Sequence, residues 1–216
     1  MALRPSTRTF AQVRRAVKRT FGDEAGVQLE DADIVQWAND AQQAINTKNK
    51  IFKARSTSVS VPGQGDYEFP VELIQQVESL TYDGSPLRPV DIATAQTAIQ
   101  GSDPHSQASG TPVAWYEWAG NFVLYPTPDD AKEIALYYTR YPAPLTGDDA
   151  QLLDVPDKYY QAVVDYILWK CYEMDEDWNG AQMKESHFRG ALEEQSEEER
   201  ESAHMTYPVV QDWYGW

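Results

Sequence analysis

Between Gly110 and Tyr141 the chain reads as three consecutive antiparallel strands, and their position between two helical regions limits the fold more than any other feature. The first strand runs from Thr111 to Trp118. Ala119, Gly120 and Asn121 lead into a second from Phe122 to Pro128, and a third spans Ile134 to Tyr141. Helical periodicity before and after these strands excludes an all-β chain and an all-helical one. The pattern predicts an α+β fold.

Four longer helices are expected. Ser6 or Thr7 is placed to cap the first, in which Phe10, Val13, Val17 and Phe21 recur at helical spacing until Gly22. Asp31 or Asp33 opens the second, with Ile34, Trp37, Ala41, Ile45 and Phe52 along one stripe and an end near Arg55. Pro156 suits the first position of a third helix carrying Tyr160, Val164, Ile167, Cys171, Met174 and Trp178, with Leu168 and Tyr172 widening the seam. Asn179-Gly180 is read as a turn into a fourth, with Ala181, Phe188 and Leu192 on one side.

The middle of the chain changes to alternation. Thr57, Val59 and Val61, followed by turn residues and then Tyr67 and Phe69, predict a hairpin. Residues 70 to 74 read as a short helical turn. Val77, Leu80 and Tyr82 lie in a strand that Asp83-Gly84 turns back toward Leu87 and Val90, a strong hairpin signal. Asp91 can cap a short helix through Ile99, and Gly101 to Gly110 reads as an exposed polar loop. The expected organisation is N-terminal helices over 1–55, an antiparallel β-rich insertion over 56–145, a C-terminal helical hairpin over 146–203 that packs with the first segment, and an extended aromatic tail over 204–216.

With 216 residues, 42% apolar and 24% charged, the chain can bury a sizeable core. Cys171 is its single cysteine, so no disulfide forms within a chain and assembly in a reducing cytoplasm is expected. No apolar run is long enough to span a bilayer, which predicts no membrane partner. The formal net charge of −16 argues against a general grip on nucleic acid. That charge is uneven. Arg4, Arg8, Arg14, Arg15, Lys18 and Arg19 mark the first helix, while Glu193, Glu194, Glu197, Glu198, Glu199 and Glu201 crowd the far end.

No pattern points to catalysis, a cofactor or a metal. His105, His187 and His204 fall in no zinc-ligand spacing, Glu173 and Asp177 read as a solvated helix face, and Cys171 reads as core. Trp115, Tyr116 and Trp118 raise the alternative of a carbohydrate-binding module, against which alternation puts Trp115 and Tyr116 on opposite strand faces. A helix-turn-helix regulator is disfavoured because Gly22 to Glu30 is longer and more acidic than the connection of that motif.

The tail holds Tyr207, Val209, Val210, Trp213, Tyr214 and Trp216. Burying each large apolar side chain is worth about 1.5–3 kcal/mol, so such a segment gains by docking on its own domain, on a neighbouring subunit or on another protein.

Several pieces, in their order, resemble the head-to-tail adaptor proteins of tailed bacteriophages: Tyr67 to Ile74 with Val77 and Asp83-Gly84, Leu87 to Val90, Thr111 to Tyr116, Gly120 to Pro128, and Pro156 to Val164. The resemblance implies a non-enzymatic virion protein of the neck that forms a ring, commonly dodecameric, beneath the portal. Its partners would be the portal protein, tail or nozzle proteins and copies of itself, with DNA only as passing cargo. Under that reading the aromatic tail residues contact the portal or a neighbouring subunit. Asp175, Glu176, Asp177, Glu193, Glu194, Glu197 and Glu198 are then candidates to face the channel. Another tail or baseplate component is the alternative of the same class.

Overall fold

The computed structural model describes residues 6–69, 74–93 and 109–206, with side chains as far as residue 197. The fold is α+β, with four α-helices and several antiparallel strand pairings among the described residues. Contacts divide the chain into two compact units. One holds the residues up to Ile51 and from Pro142 onward, and the other is Phe52–Tyr141.

The first unit contains α1 (Phe10–Phe21), α2 (Asp31–Asn49), α3 (Tyr160–Met174) and α4 (Trp178–Thr206). Phe10, Val13 and Val17 are fully buried, as their spacing predicts. The cap differs. Thr9, not Ser6 or Thr7, accepts from the Gln12 N–H, and Gln12 returns the bond to the Thr9 N–H, a capping box. Ser6 and Thr7 turn instead to Asp157, whose two carboxylate oxygens accept from both hydroxyls and from the Thr7 N–H at 2.6–2.9 Å. Gly22, at φ +89°, ends the helix with a left-handed residue that glycine adopts without strain.

Helix α2 stops at Asn49, short of the expected Arg55, because Lys50 turns left-handed at φ +49° and strand β1 begins at Lys53. Its buried face is Ile34, Ala38, Ala41, Gln42, Ile45 and Asn46. Gln42 and Asn39 tie down the irregular segment that follows residue 142. Gln42 Oε1 accepts from the Asp154 and Val155 N–H groups, and Asn39 bonds both the N–H and the carbonyl of Leu145. Helix α3 packs against α1, α2 and α4 through Val163, Val164, Ile167, Leu168 and Cys171. Met174 and Trp178, expected on that seam, are 48% and 68% exposed because the chain turns between them at Asp175 to Asp177. Asn179-Gly180 is therefore not the turn but lies in the first turn of α4.

The second unit has two four-stranded sheets. One orders β1 (Lys53–Val59), β10 (Glu133–Arg140), β3 (Ile74–Tyr82) and β4 (Ser85–Pro86), all antiparallel. The other orders β2 (Asp66–Glu68), β8 (Asn121–Tyr125), β7 (Ala114–Trp118) and β5 (Arg88–Pro89), in which β5 runs parallel to β7. A short parallel pair, β6 (Ser109–Gly110) with β9 (Thr127–Pro128), completes the set. Leu80, Tyr82, Ile134, Leu136 and Tyr138 from the first sheet share one apolar cluster with Trp115, Phe122 and Leu124 from the second.

Three expectations change here. Two of the three consecutive strands, β7 and β8, form the hairpin turned by Ala119-Gly120, but β10 crosses to the other sheet. No hairpin joins β1 to β2, which pair with β10 and β8 instead. The faces of β1 are also reversed: Val59 and Val61 are 64% and 53% exposed, because this edge strand turns Ala54 and Ser60 inward. The Asp83-Gly84 hairpin forms as read, pairing Thr81 with Pro86. A register shift opposite Tyr137 and Tyr138 explains why Val77 and Leu80 are three residues apart yet both turn toward the cluster. Ile74, expected to end a helical turn over 70–74, begins β3; Ser109 and Gly110, expected to end the polar loop over 101–110, form β6; and α4 runs to Thr206 where the tail was expected from 204. The rest of that turn and loop, the helix beyond residue 93 and residues 207–216 lie outside the described residues.

Candidate interaction surfaces

Charge on the helical unit is arranged by the packing of α1. Arg14 and Lys18 do not form a free basic stripe with their neighbours. Asp31, at the start of α2, accepts from Lys18 Nζ at 2.6 Å and from Arg14 at 2.9 Å, and Arg14 also meets Asp149 at 2.7 Å. The Lys18 hydrogen bond, followed by the Arg14 charge, holds the Asp31 carboxyl below its ordinary value of 3.8 against the opposing effect of burial. Arg15 and Arg19, one turn apart, are exposed and carry no ion pair among the described residues. Two of the four basic residues of α1 are thus neutralised within its own unit.

The acids separate into two groups. Asp175, Glu176 and Asp177 form the exposed turn between α3 and α4, where Glu176 is left-handed at φ +59°. Asp177 has a structural task, since its Oδ1 accepts from the Gly180 N–H at 3.0 Å and caps α4. Glu193, Glu194 and Glu197 are exposed farther along α4. Sixteen residues at about 1.5 Å per residue put about 24 Å between Asp177 and Glu193 along the helix, so the candidates do not form one patch. Glu198 lies in α4, with its side chain outside the described residues, as are the tail positions Tyr207, Val209, Val210, Trp213, Tyr214 and Trp216.

The aromatic trio does not form a platform. Trp115 is 8% exposed inside the core cluster, while Trp118 is 60% exposed. Glu173 accepts from the Trp169 indole and pairs with Lys170, so it is not matched with Asp177. Among the described residues no group of three His, Cys, Asp or Glu side chains could hold a metal ion, and no helix is long and apolar enough to cross a membrane.

A feature that periodicity did not reveal lies where α2, α3 and α4 meet. A groove of about 340 Å³ is lined by Ala44, Tyr166, Trp169, Phe188 and Leu192, with Lys48, Arg189 and Glu193 at its rim. Its aromatic lining is preorganised: Tyr166 stands edge-on to both Trp169 and Phe188, with centroids 5.3 and 5.0 Å apart. The signal in the sequence was the pair Tyr166 and Trp169, aromatic residues off the buried seam of α3.

A family model described as "SU10 adaptor protein" matches residues 8–211, which takes in both compact units. The chain belongs to the SU10 adaptor protein family. No curated protein matches it. As a member of this adaptor family the chain is a structural, non-enzymatic phage protein and a virion component that works through contacts with other phage head and tail proteins.

Proposed function

We propose that the chain is the head-to-tail adaptor of its phage, assembled as a closed ring of about twelve subunits beneath the portal. The family match over residues 8–211 carries this reading. In it, the N- and C-terminal helices form a bundle that builds the ring wall, and the β-rich region is an insertion that meets neighbouring subunits or tail proteins. Exposed Glu193, Glu194 and Glu197, with Glu198 and the Asp175 to Asp177 turn, line the DNA channel, where fixed negative charge repels phosphate and lets DNA pass without sticking. The aromatic segment Tyr207 to Trp216 anchors the subunit on the portal or on an adjacent copy, using the residue types that dominate protein interfaces.

Complementation of DNA-filled heads that lack the adaptor tests this function. Added full-length chain is expected to restore tail attachment, and a chain lacking residues 207–216 to lose attachment while keeping its far-ultraviolet helical signal. Heads that stay tail-less with the full-length chain would overturn the proposal. For the channel assignment, the triple change Glu193→Lys, Glu194→Lys and Glu197→Lys is expected to alter DNA retention or ejection. Unchanged behaviour would remove these residues from the channel.

A further inference from the structure

We infer that the groove between α2, α3 and α4 is the docking site of the chain's own aromatic segment, so that Trp213 to Trp216 lie across Phe188 and Leu192 in the free subunit. The inference deepens the reading of that segment as an anchor, by giving it a covered state before assembly.

Reach supports an intramolecular fit. From Leu192 to Thr206, α4 rises about 21 Å at about 1.5 Å per residue. Pro208 cannot continue a helix and disfavours helical backbone at Tyr207, so the chain can turn back there. Ten extended residues span about 33 Å at about 3.3 Å each. Trp213, the seventh of them, therefore comes level with Leu192, and Trp216 reaches Phe188 with a few ångströms left for the reversal.

Chemistry matches as well. The groove is apolar and aromatic, and its floor of Tyr166, Trp169, Phe188 and Leu192 gives flat rings a complementary surface. At its rim Lys48 is exposed and carries no ion pair among the described residues, while Asp212 precedes Trp213.

The test uses the full-length chain with two cysteine pairs. Glu193→Cys with Tyr214→Cys places one thiol at the groove rim. Glu194→Cys with Tyr214→Cys places it at the same height on an exposed side of α4 that does not line the groove, about 100° round the helix from Glu193. Under mild oxidation at low protein concentration, the rim pair is expected to form its disulfide within one chain at least about tenfold faster than the control pair, because docking raises the effective concentration of one thiol at the other. Equal rates for the two pairs would overturn the inference. Disulfides found mainly between chains would also overturn it, and would assign the groove to the segment of a second copy. Failure of the adaptor reading is distinguishable, because the head complementation scores attachment and the cross-link needs no portal.

Discussion

Asp165 and Lys184 join α3 to α4 through a 2.7 Å ion pair whose side chains are only 7% and 15% exposed. Gln161 adds a hydrogen bond to the other carboxylate oxygen. A pair this enclosed has already lost its hydration, so removing one partner strands the other charge. Lys184→Ala should destabilise the chain by on the order of 3 kcal/mol, measured by urea unfolding; a loss below about 1 kcal/mol would mean that water replaces the lysine. Cys171, also on α3, is fully buried, and burial pushes its thiol up to about 12. It should resist alkylation at pH 8 in the native chain and react only on unfolding, as counted by mass spectrometry. The core role of Cys171 was legible in its helical spacing. The pairing of Asp165 with Lys184 was not, because it joins two helices whose relative rotation no one-dimensional period specifies.

At the scale of elements, α1 is held at both ends by carboxylates. Before it, the Thr7 hydroxyl and N–H, then the Ser6 hydroxyl, lower the Asp157 carboxyl below its ordinary value of 3.8. After it, the N–H groups of Leu29, Val27 and Gln28 lower Asp23, with burial opposing them. Asp31, also lowered, links α1 to α2. These groups contribute stability that is fully present above the unfolded carboxylate value and is lost as pH falls through their lowered folded values. The urea midpoint should therefore fall steeply below about pH 4, and Asp23→Asn should flatten that slope. Helix α4 carries two glycines with opposite surroundings. Gly190→Ala, in open space, should stabilise by about 1 kcal/mol from helix propensity. At Gly180 an added Cβ would lie 2.6 Å from Asp177 Oδ2 and 3.0 Å from the Tyr172 ring, displacing the cap, so Gly180→Ala should lower the urea midpoint. Sequence periodicity located all four helices. It misjudged their ends where a single backbone choice decides, as at Lys50 and at the Asp175 to Asp177 turn, and it missed that Ser6 and Thr7 serve Asp157 rather than a cap.

The whole molecule comprises a helical unit and a β-rich unit, each with its own core, in a chain of net charge −16. The α+β class was legible because 3.6-residue and two-residue periods occupy different stretches of the chain. Sheet membership was not, since partners such as β1 with β10 are set by contacts far apart in sequence. The adaptor resemblance was legible from the order of turns and strands, and the family match bears it out at the level of a phage adaptor. The aromatic groove was signalled only by Tyr166 and Trp169, off the buried seam of their helix, because three helices contribute to it and no single helix shows it. Native mass spectrometry of the full-length chain mixed with the portal protein of the same phage tests most directly whether this chain joins a portal ring to a tail. Saturable addition of about twelve chains to each portal ring, the number the adaptor resemblance implies, is expected in a closed ring; a portal ring that acquires none, with the chain left as a monomer, would contradict this role.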